Sequence, residues 1–327
     1  MHTVGVVGLG GMGSVHGSKY VQMPDVKLIG CDRDTEKREA YEKRFGVETL
    51  DSYEDLLKRC DIIDICLPTD THLPFGLQAI ASGRALLMEK PIAGTVSDAI
   101  QLMEAAAKQN VPFMPAQVVR YFPDFRRGHE TIRSGALGRV AVARTRRGGP
   151  APMGSGGWFR DISRSGGVLL DLAIHDFDWL RWTLGEVEQV YSRSVALNNP
   201  PSGDFQGDYS LTTLTFESGA LGHVEGTWMD PGGFRTTFSV FGSAGVLEHD
   251  SRQSVAVRTS TGSGTSNESQ WAPGDDPYFN EIRGFLDAVQ QGVEPPVTGY
   301  DGVMAVSIAM AAIESCRTGK ATKPIRP

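Results

Sequence analysis

Two polar residues, Asp171 and His175, carry the strongest chemical signal in this sequence of 327 residues. They lie four positions apart in the mostly apolar segment SGGVLLDLAIHDFDWLRWTLG (165–185), which we predict to be a helix opened by two glycines. On a helix this spacing places both side chains on one face, where they can converge on a ligand. A satisfied buried pair and a D-x-x-x-H metal site are the alternatives. We find no third ligand at motif spacing and predict no metal.

A lysine at the predicted end of a buried strand is the second candidate. Lys90 follows the apolar run ALLME (85–89) and lies between Glu89 and Pro91. Most lysines are solvated, so this unusual position favours a functional role for the ammonium group.

A glycine-rich turn between the first predicted strand and the first predicted helix has the pattern G-x-G-x-x-G. The first glycine permits a tight turn, the second lets the backbone approach a pyrophosphate, and the third allows close helix–strand packing. Asp32 follows nineteen residues after the motif, where a carboxylate can accept hydrogen bonds from an adenosine ribose. The motif contributes the candidate cofactor-binding residues Gly8, Gly10, Gly11, Met12 and Gly13.

The second predicted strand also bears on the choice of cofactor. The charge of Asp32 would repel a 2′-phosphate and favours NAD over NADP. The neighbouring Arg33 leaves NADP open, because a guanidinium can pair with that phosphate or stack on adenine.

Other candidates for cofactor contact follow later strands, in CLPTDTH (66–72) and EKP (89–91). A histidine at a helix start also has a purely structural role as its alternative. These candidates are Leu67, Pro68, Thr69, His72, Glu89 and Lys90.

The elements that must position these residues alternate between strand and helix over residues 1–120. Predicted strands cover 3–8, 26–32, 61–68, 85–89 and 111–114. Predicted helices cover 14–22, 34–44, 74–82 and 95–108. This alternation predicts an α/β domain of the Rossmann type, with a doubly wound parallel sheet and its ligand beyond the carboxyl ends of the strands.

Residues 121–327 have a different hydrophobic pattern, which predicts a second, α+β domain that binds the substrate. A charged helix at 124–134 precedes period-two alternation, which is typical of antiparallel strands packed on one face. The predicted strands cover 139–145, 211–217, 235–241 and 254–259. Long loops are expected at 148–157, 198–207 and 260–276, before a last helix at 301–317.

Composition excludes several classes of protein. Hydrophobic residues make up 40% and charged residues 22%, a globular rather than a disordered composition. The net charge of −7 provides no basic field for a nucleic-acid partner. No apolar run reaches the roughly 18 residues of a membrane span. Four cysteines without C-x-x-C spacing predict reduced thiols, so we expect a cytoplasmic protein.

Five motifs occur in order along the chain: the glycine turn with Asp32, PTDTH (68–72), EKP (89–91), GGVLLDLAIHD (166–176) and YDGVMAVSIAMAAIESCRTGK (300–320). Together they resemble the Gfo/Idh/MocA family, named for glucose-fructose oxidoreductase, inositol dehydrogenase and a rhizopine-catabolism protein. The resemblance implies a Rossmann domain, a C-terminal domain with a large, mostly antiparallel sheet, and NAD(P)-dependent oxidation or reduction of sugars, inositols and related polyols. It also implies homodimers or homotetramers formed through the open face of that sheet.

The resemblance assigns roles to three residues and implies a cis Lys90–Pro91 bond. His175 would exchange the hydroxyl proton, Lys90 would stabilise the developing alkoxide, and Asp171 would orient His175 or bind a neighbouring hydroxyl. Gln117 stands at a position that varies among subfamilies, so the substrate stays open. Three residues are candidate sugar contacts, with ordinary packing or surface charge as an equal alternative: Arg120, Trp158 and Arg160.

Two other functions share these motifs. One is a non-catalytic NAD-binding regulator, against which the complete set of Lys90, Asp171 and His175 argues. The other is a glycosidase that retains its NAD and works through transient oxidation, which the sequence does not separate from a dehydrogenase.

Overall fold

The computed structural model describes residues 1–152, 154–196, 208–253, 257–262, 264–268 and 275–327. Within these ranges the chain forms two β-sheets with helices packed against them. The longest helices of the described chain are too short or too polar to cross a bilayer. All four cysteines are free thiols, as predicted.

A parallel sheet organises the first half of the chain, as predicted. Its strands are β1 (His2–Val7), β2 (Val26–Cys31), β3 (Glu48–Leu50), β4 (Ile62–Ile65), β5 (Ala85–Glu89) and β6 (Phe113–Ala116). Their order is β3-β2-β1-β4-β5-β6, and every neighbouring pair is parallel. The order reverses between β1 and β4, which is where sheets of this kind bind ligands at their carboxyl ends.

Helices connect these strands across both faces of the sheet. They are α1 (Gly11–Tyr20), α2 (Thr35–Phe45), α3 (Tyr53–Arg59), α4 (His72–Ala81) and α5 (Val96–Gln109). The sequence did not predict β3 and α3, because three and seven residues are too few for a clear periodic pattern. Helix α1 begins inside the glycine motif, three residues earlier than predicted.

The second half contains a larger sheet. Its strands are β7 (Val140–Gly148), β8 (Val187–Val195), β9 (Tyr209–Phe216), β10 (Leu221–Thr227), β11 (Arg235–Gly242), β12 (Gly245–Asp250), β13 (Val257–Thr261) and β14 (Gly264–Glu268). Their order is β14-β13-β12-β11-β7-β10-β9-β8. All neighbouring pairs are antiparallel except β7 with β10, so the predicted α+β domain with a mostly antiparallel sheet is confirmed.

The helices of the second half are α6 (Pro123–Arg133), α7 (Ile162–Ser165), α8 (Ile174–Leu184), α9 (Pro277–Gln291) and α10 (Gly299–Thr318). The expected loop at 260–276 is wrong in part, because β14 and the end of β13 lie inside it. The glycines at 262 and 264 are typical of a loop, but they lie where the two short strands β13 and β14 pair with each other. The expected loop at 198–207 and residues 254–256 of a predicted strand lie outside the described residues.

The two halves share a hydrophobic core. Helix α9 packs on α1, and α10 packs on α5. The apolar side chains of Ile282, Phe285 and Leu286 from α9 join the cluster that contains Val4 and Leu87 of the parallel sheet. The chain's last helices therefore complete the interior of its first domain.

Candidate active site

The glycine turn leaves room for a ligand at the start of α1. Gly8 has a φ of +88°, and a Cβ there would press against the main-chain oxygen of Cys66. A Cβ at Gly13 would collide with the carbonyl oxygen of Gly8, so only glycine permits this close packing. At Gly10 and Gly11 a Cβ would meet nothing within 4 Å. The helix N-terminus therefore faces open space, as binding of a pyrophosphate requires.

Asp32 lies beside this turn at the end of β2. Its Oδ2 accepts a hydrogen bond from the main-chain N–H of Leu9 at 3.0 Å, and its Oδ1 accepts one from the main-chain N–H of Asp34 at the same distance. The carboxylate is thereby fixed against the glycine turn, where a ribose would lie. The side chain of Arg33 is exposed. The open glycine turn and the fixed carboxylate therefore suit the pyrophosphate and the ribose of a dinucleotide.

The loop after β4 follows the same edge of the sheet. Thr69 begins a short 3₁₀ helix, and His72 begins α4. Both ring nitrogens of His72 lie 2.8 Å from main-chain carbonyl oxygens, one of Leu67 and one of Pro91. Since a carbonyl oxygen lies against each ring nitrogen, the structure favours the alternative, structural role of His72. It ties this loop to the segment that follows Lys90.

Lys90 lies at the carboxyl end of β5, and its bond to Pro91 is cis, as expected. Its Nζ donates to the main-chain oxygen of Asp171 at 2.8 Å and lies 3.2 Å from Asp171 Oδ1. The side chains of Lys90 and Asp171 are 15% and 9% exposed. The structure therefore joins two of the three predicted catalytic residues across the two domains.

The segment that carries Asp171 is not the continuous α-helix that we predicted. Gly166 and Gly167 have φ values of +72° and +68°, and residues Val168–Leu172 then form a π-helical turn before α8. Its wider hydrogen bond runs from the N–H of Ala173 to the carbonyl of Val168. Turns of this kind occur often at functional sites.

Asp171 contacts the lysine of the predicted catalytic set. Its main-chain oxygen and its Oδ1 both accept hydrogen bonds from the Lys90 ammonium group. The expectation that Asp171 orients His175 or binds a neighbouring hydroxyl stays a prediction.

His175 presents a buried ring nitrogen without a partner. Its Nδ1 makes no hydrogen bond to any described residue. Burial lowers the pKa of His175 well below its ordinary value, and the positive charges of Lys90 and Arg147 lower it further. The imidazole is therefore neutral near pH 7 and can accept a proton.

Arg147 is a residue near the site that the sequence analysis missed. It is buried near the end of β7, and its Nε donates to Asp176 Oδ2 at 2.6 Å. The predicted strand ended at residue 145, two residues too early to include it. The alternating pattern RVAVARTRR could have extended the strand and revealed an inward-facing arginine.

The structure argues against Arg120 as a sugar contact. Its Nε and Nη2 each donate to Asp178 at 2.7 Å, and Asp301 lies 3.2 to 3.3 Å from the same guanidinium. Arg120 and Asp178 are buried, and these two carboxylates occupy the donor face of the arginine. Arg120 therefore joins the 3₁₀ turn after β6 to α8 and α10 and is not free for a substrate.

The other two candidates lie on the loop before α7. The ring of Trp158 stacks on Phe159 with centroids 4.0 Å apart, and the side chain of Arg160 is exposed. Arg164 in α7 pairs with Asp70 in the loop after β4 at 2.9 Å. This ion pair brings the loop to the cofactor edge, so Trp158 and Arg160 stay predictions.

Family comparison supports the assignment of both halves. A model described as "Oxidoreductase family, NAD-binding Rossmann fold" matches residues 2–117, and one described as "GFO/IDH/MocA C-terminal domain" matches residues 125–248. The first confirms the predicted NAD-binding domain, and together they cover most of the chain.

Named relatives match along almost the full length. A myo-inositol 2-dehydrogenase from Thermotoga maritima is 29% identical and covers 98% of both chains. A scyllo-inositol 2-dehydrogenase (NAD(+)) from Bacillus subtilis is 29% identical over 96% of this chain and 94% of its own.

A solved structure agrees with both the sequence and the fold. GenD2 from gentamicin A biosynthesis, in complex with NAD, is 29% identical with a TM-score of 0.88, covering 99% of this chain and 96% of that one. With both family models, these relatives and the site geometry in agreement, the chain belongs to the Gfo/Idh/MocA family and is an NAD-binding oxidoreductase.

Proposed function

We propose that the protein oxidises a secondary hydroxyl of an inositol, sugar or related polyol with NAD, or reduces the corresponding ketone with NADH. The observation that carries this proposal is the pairing of Lys90 with Asp171 next to a neutral, unpartnered His175. The names of the inositol dehydrogenases that match the chain support the substrate class.

The residues of the chain divide the proton chemistry between them. His175, as a neutral base, takes the proton of the substrate hydroxyl. Lys90 donates a hydrogen bond to the same oxygen and stabilises the negative charge that develops there. Asp171 holds the ammonium group of Lys90 in place. Bound NAD supplies the nicotinamide ring that takes up the hydride.

The choice between NAD and NADP depends on the two residues that follow β2. We infer that NAD is preferred, since the Asp32 carboxylate lies against the glycine turn where a 2′-phosphate would have to fit. Exposed Arg33 is the group that would allow NADP. The affinities for NADH and NADPH, measured by quenching of protein fluorescence, test this, and tighter NADPH binding would contradict it.

The open face of the large sheet supports a homodimer or homotetramer. Large apolar side chains are exposed on neighbouring strands β8, β9 and β10: Tyr191, Val195, Leu211 and Leu221. Exposed apolar groups on adjacent strands favour an interface. Light scattering should give the mass of an oligomer, and a monomeric mass would exclude it.

We further propose that residues 1–120 bind the cofactor, that residues 121–327 bind the substrate, and that the protein acts in the cytoplasm.

A panel of inositols and sugars tests the proposal. We expect NADH absorbance to rise with at least one polyol, and we expect Lys90→Met and His175→Gln to bind NADH but lose turnover. Lys58→Met is the matched control, because that lysine is exposed and pairs with Asp55 on the surface of α3. Full activity in both site variants would contradict the assignment.

The same panel separates the two other functions. Cofactor binding without any absorbance change across the panel would favour a regulator. Release of free sugar from an aryl glycoside without accumulation of NADH would favour a glycosidase.

A further inference from the structure

A buried histidine lies between two carboxylates inside the first domain. His16, on α1, is fully buried. Its Nδ1 lies 2.8 Å from Asp64 Oδ2 at the end of β4, and its Nε2 lies 3.2 Å from Glu89 Oε1 at the end of β5. The proton chemistry proposed above uses none of these three side chains, and Glu89 is in addition a predicted cofactor contact.

A positive charge on His16 suits this position, because Nε2 of His16 and Oε1 of Glu89 are buried without a hydrogen-bond partner and lie within ion-pair distance of each other. A neutral imidazole carries one N–H and can serve only one of the two carboxylates, whereas an imidazolium offers an N–H to each. Two carboxylates buried without a positive charge would be strongly unfavourable. Burial alone lowers the pKa of His16, but the charge of Asp64 and the contacts with Asp64 and Cys66 raise it well above its ordinary value.

The other groups around the ring do not supply that charge. Tyr20 donates to Asp64 at 3.0 Å, and the Cys66 sulfur lies 3.5 Å from both Asp64 and His16. From α9, the ring of Tyr278 lies 6.3 Å from that of His16.

Glu281, also on α9, is fully buried, and neither of its oxygens has a partner among the described residues. Burial and the charge of Glu89 raise its pKa well above the ordinary value, which favours the neutral acid form. It therefore does not compete with Asp64 and Glu89 for the positive charge of His16.

Glu89 connects His16 to the catalytic lysine. Its second oxygen, Oε2, accepts a hydrogen bond from the main-chain N–H of Lys90 at 3.0 Å. The carboxylate thus faces His16 on one side and the backbone of Lys90 on the other. A shift of Glu89 would move the point from which the Lys90 side chain reaches Asp171 and the substrate oxygen.

We propose that His16 is a positioning residue for the redox reaction: held as an imidazolium between Asp64 and Glu89, it fixes Glu89 and through it the main chain at Lys90. This inference rests on the proposed function and deepens it. Because His16 lies inside the domain, it acts through Lys90 and not on substrate. The predicted effect is on turnover, with cofactor affinity preserved.

The test compares His16→Gln with Lys58→Met, the control at the exposed lysine on α3. We expect kcat of His16→Gln to fall about 10- to 100-fold, as for misplacement of a catalytic group. The KM for NAD and the fraction of protein that binds NADH should stay unchanged. A purely structural histidine would instead lower that fraction, with unchanged kcat per binding site.

Glu89→Gln gives a second route should His16→Gln fail to fold. It keeps the size of the side chain and removes the charge that faces His16, so kcat should fall in the same way. Histidine-selective ¹⁵N spectra of the wild type should show both nitrogens of His16 protonated at neutral pH.

The outcomes distinguish the two proposals. An active wild type with unimpaired turnover in His16→Gln or Glu89→Gln, or with a neutral His16, overturns this inference alone. A wild type that is inactive on the whole panel overturns the proposed function and this inference together.

Discussion

Replacement of Arg120 by methionine tests whether this arginine is structural. The substitution keeps most of the side-chain volume but leaves the carboxylate of Asp178, which is 1% exposed, without its two donors. Arg181, the other cation of this cluster, already donates to Glu186 and Asp301. It is therefore not free to neutralise Asp178.

The size of the effect follows from burial. Removal of one partner from a buried ion pair costs about 3–5 kcal/mol, against about 0–1 kcal/mol for an exposed pair. Asp178→Asn should cost less, about 1–3 kcal/mol, because Arg120 keeps its contacts with Asp301. The double variant Arg120→Met/Asp178→Asn should regain part of the loss, since it leaves no uncompensated charge at Asp178.

Urea unfolding followed by circular dichroism measures these differences, together with the KM for the polyol of each folded variant. Burial raises the pKa of Asp178 even beside Arg120. Without the arginine its pKa should rise further, so the deficit of Arg120→Met should shrink as the pH falls. An Arg120→Met protein of wild-type stability with a raised KM would refute the reasoning and restore Arg120 as a substrate contact.

Further predictions concern the site and the glycine turn. Because burial and nearby positive charge lower the pKa of His175, the acid limb of kcat/KM should lie below the ordinary histidine value of about 6.5; a limb at or above it would contradict a neutral base. The raised pKa of Glu281 means that the folded protein loses stability as the pH rises from about 4.3 towards that pKa, by about 1.4 kcal/mol for every pH increase of one within this interval. Thermal unfolding of Glu281→Gln should not show this loss, and parallel curves for variant and wild type would count against it. Gly13→Ala should abolish NADH binding or soluble expression, since the methyl collides with the Gly8 carbonyl; a variant that folds and binds normally would show that the turn can relax.

The structural features that depend on a short stretch of sequence were predicted best. The predicted strand at 85–89 coincides with β5. Its ends are well defined because Gly83 and Arg84 precede the apolar run and Pro91 follows shortly after it. The glycine motif also predicted its own geometry, since each glycine role follows from the absence of a Cβ.

Other features depend on contacts between distant parts of the chain. The bidentate pair of Arg120 with Asp178 and the pairing of Arg147 with Asp176 form only once α8 packs on its neighbours, so a list of charged residues does not reveal them. The sequence analysis did not predict the π turn for a different reason. An apolar helix with one inserted residue has almost the same hydrophobic pattern as a regular one.

The shared core of the two halves has a consequence for synthesis. The ribosome releases β1 long before α9 exists, yet Ile282, Phe285 and Leu286 belong to the same buried cluster as Val4 in the finished interior. The part of the first domain that α9 covers should therefore stay exposed to solvent until α9 has been translated. A gene fragment that stops at codon 120 should yield an aggregation-prone product, and the protein should mature as one cooperative unit and not as two successive ones.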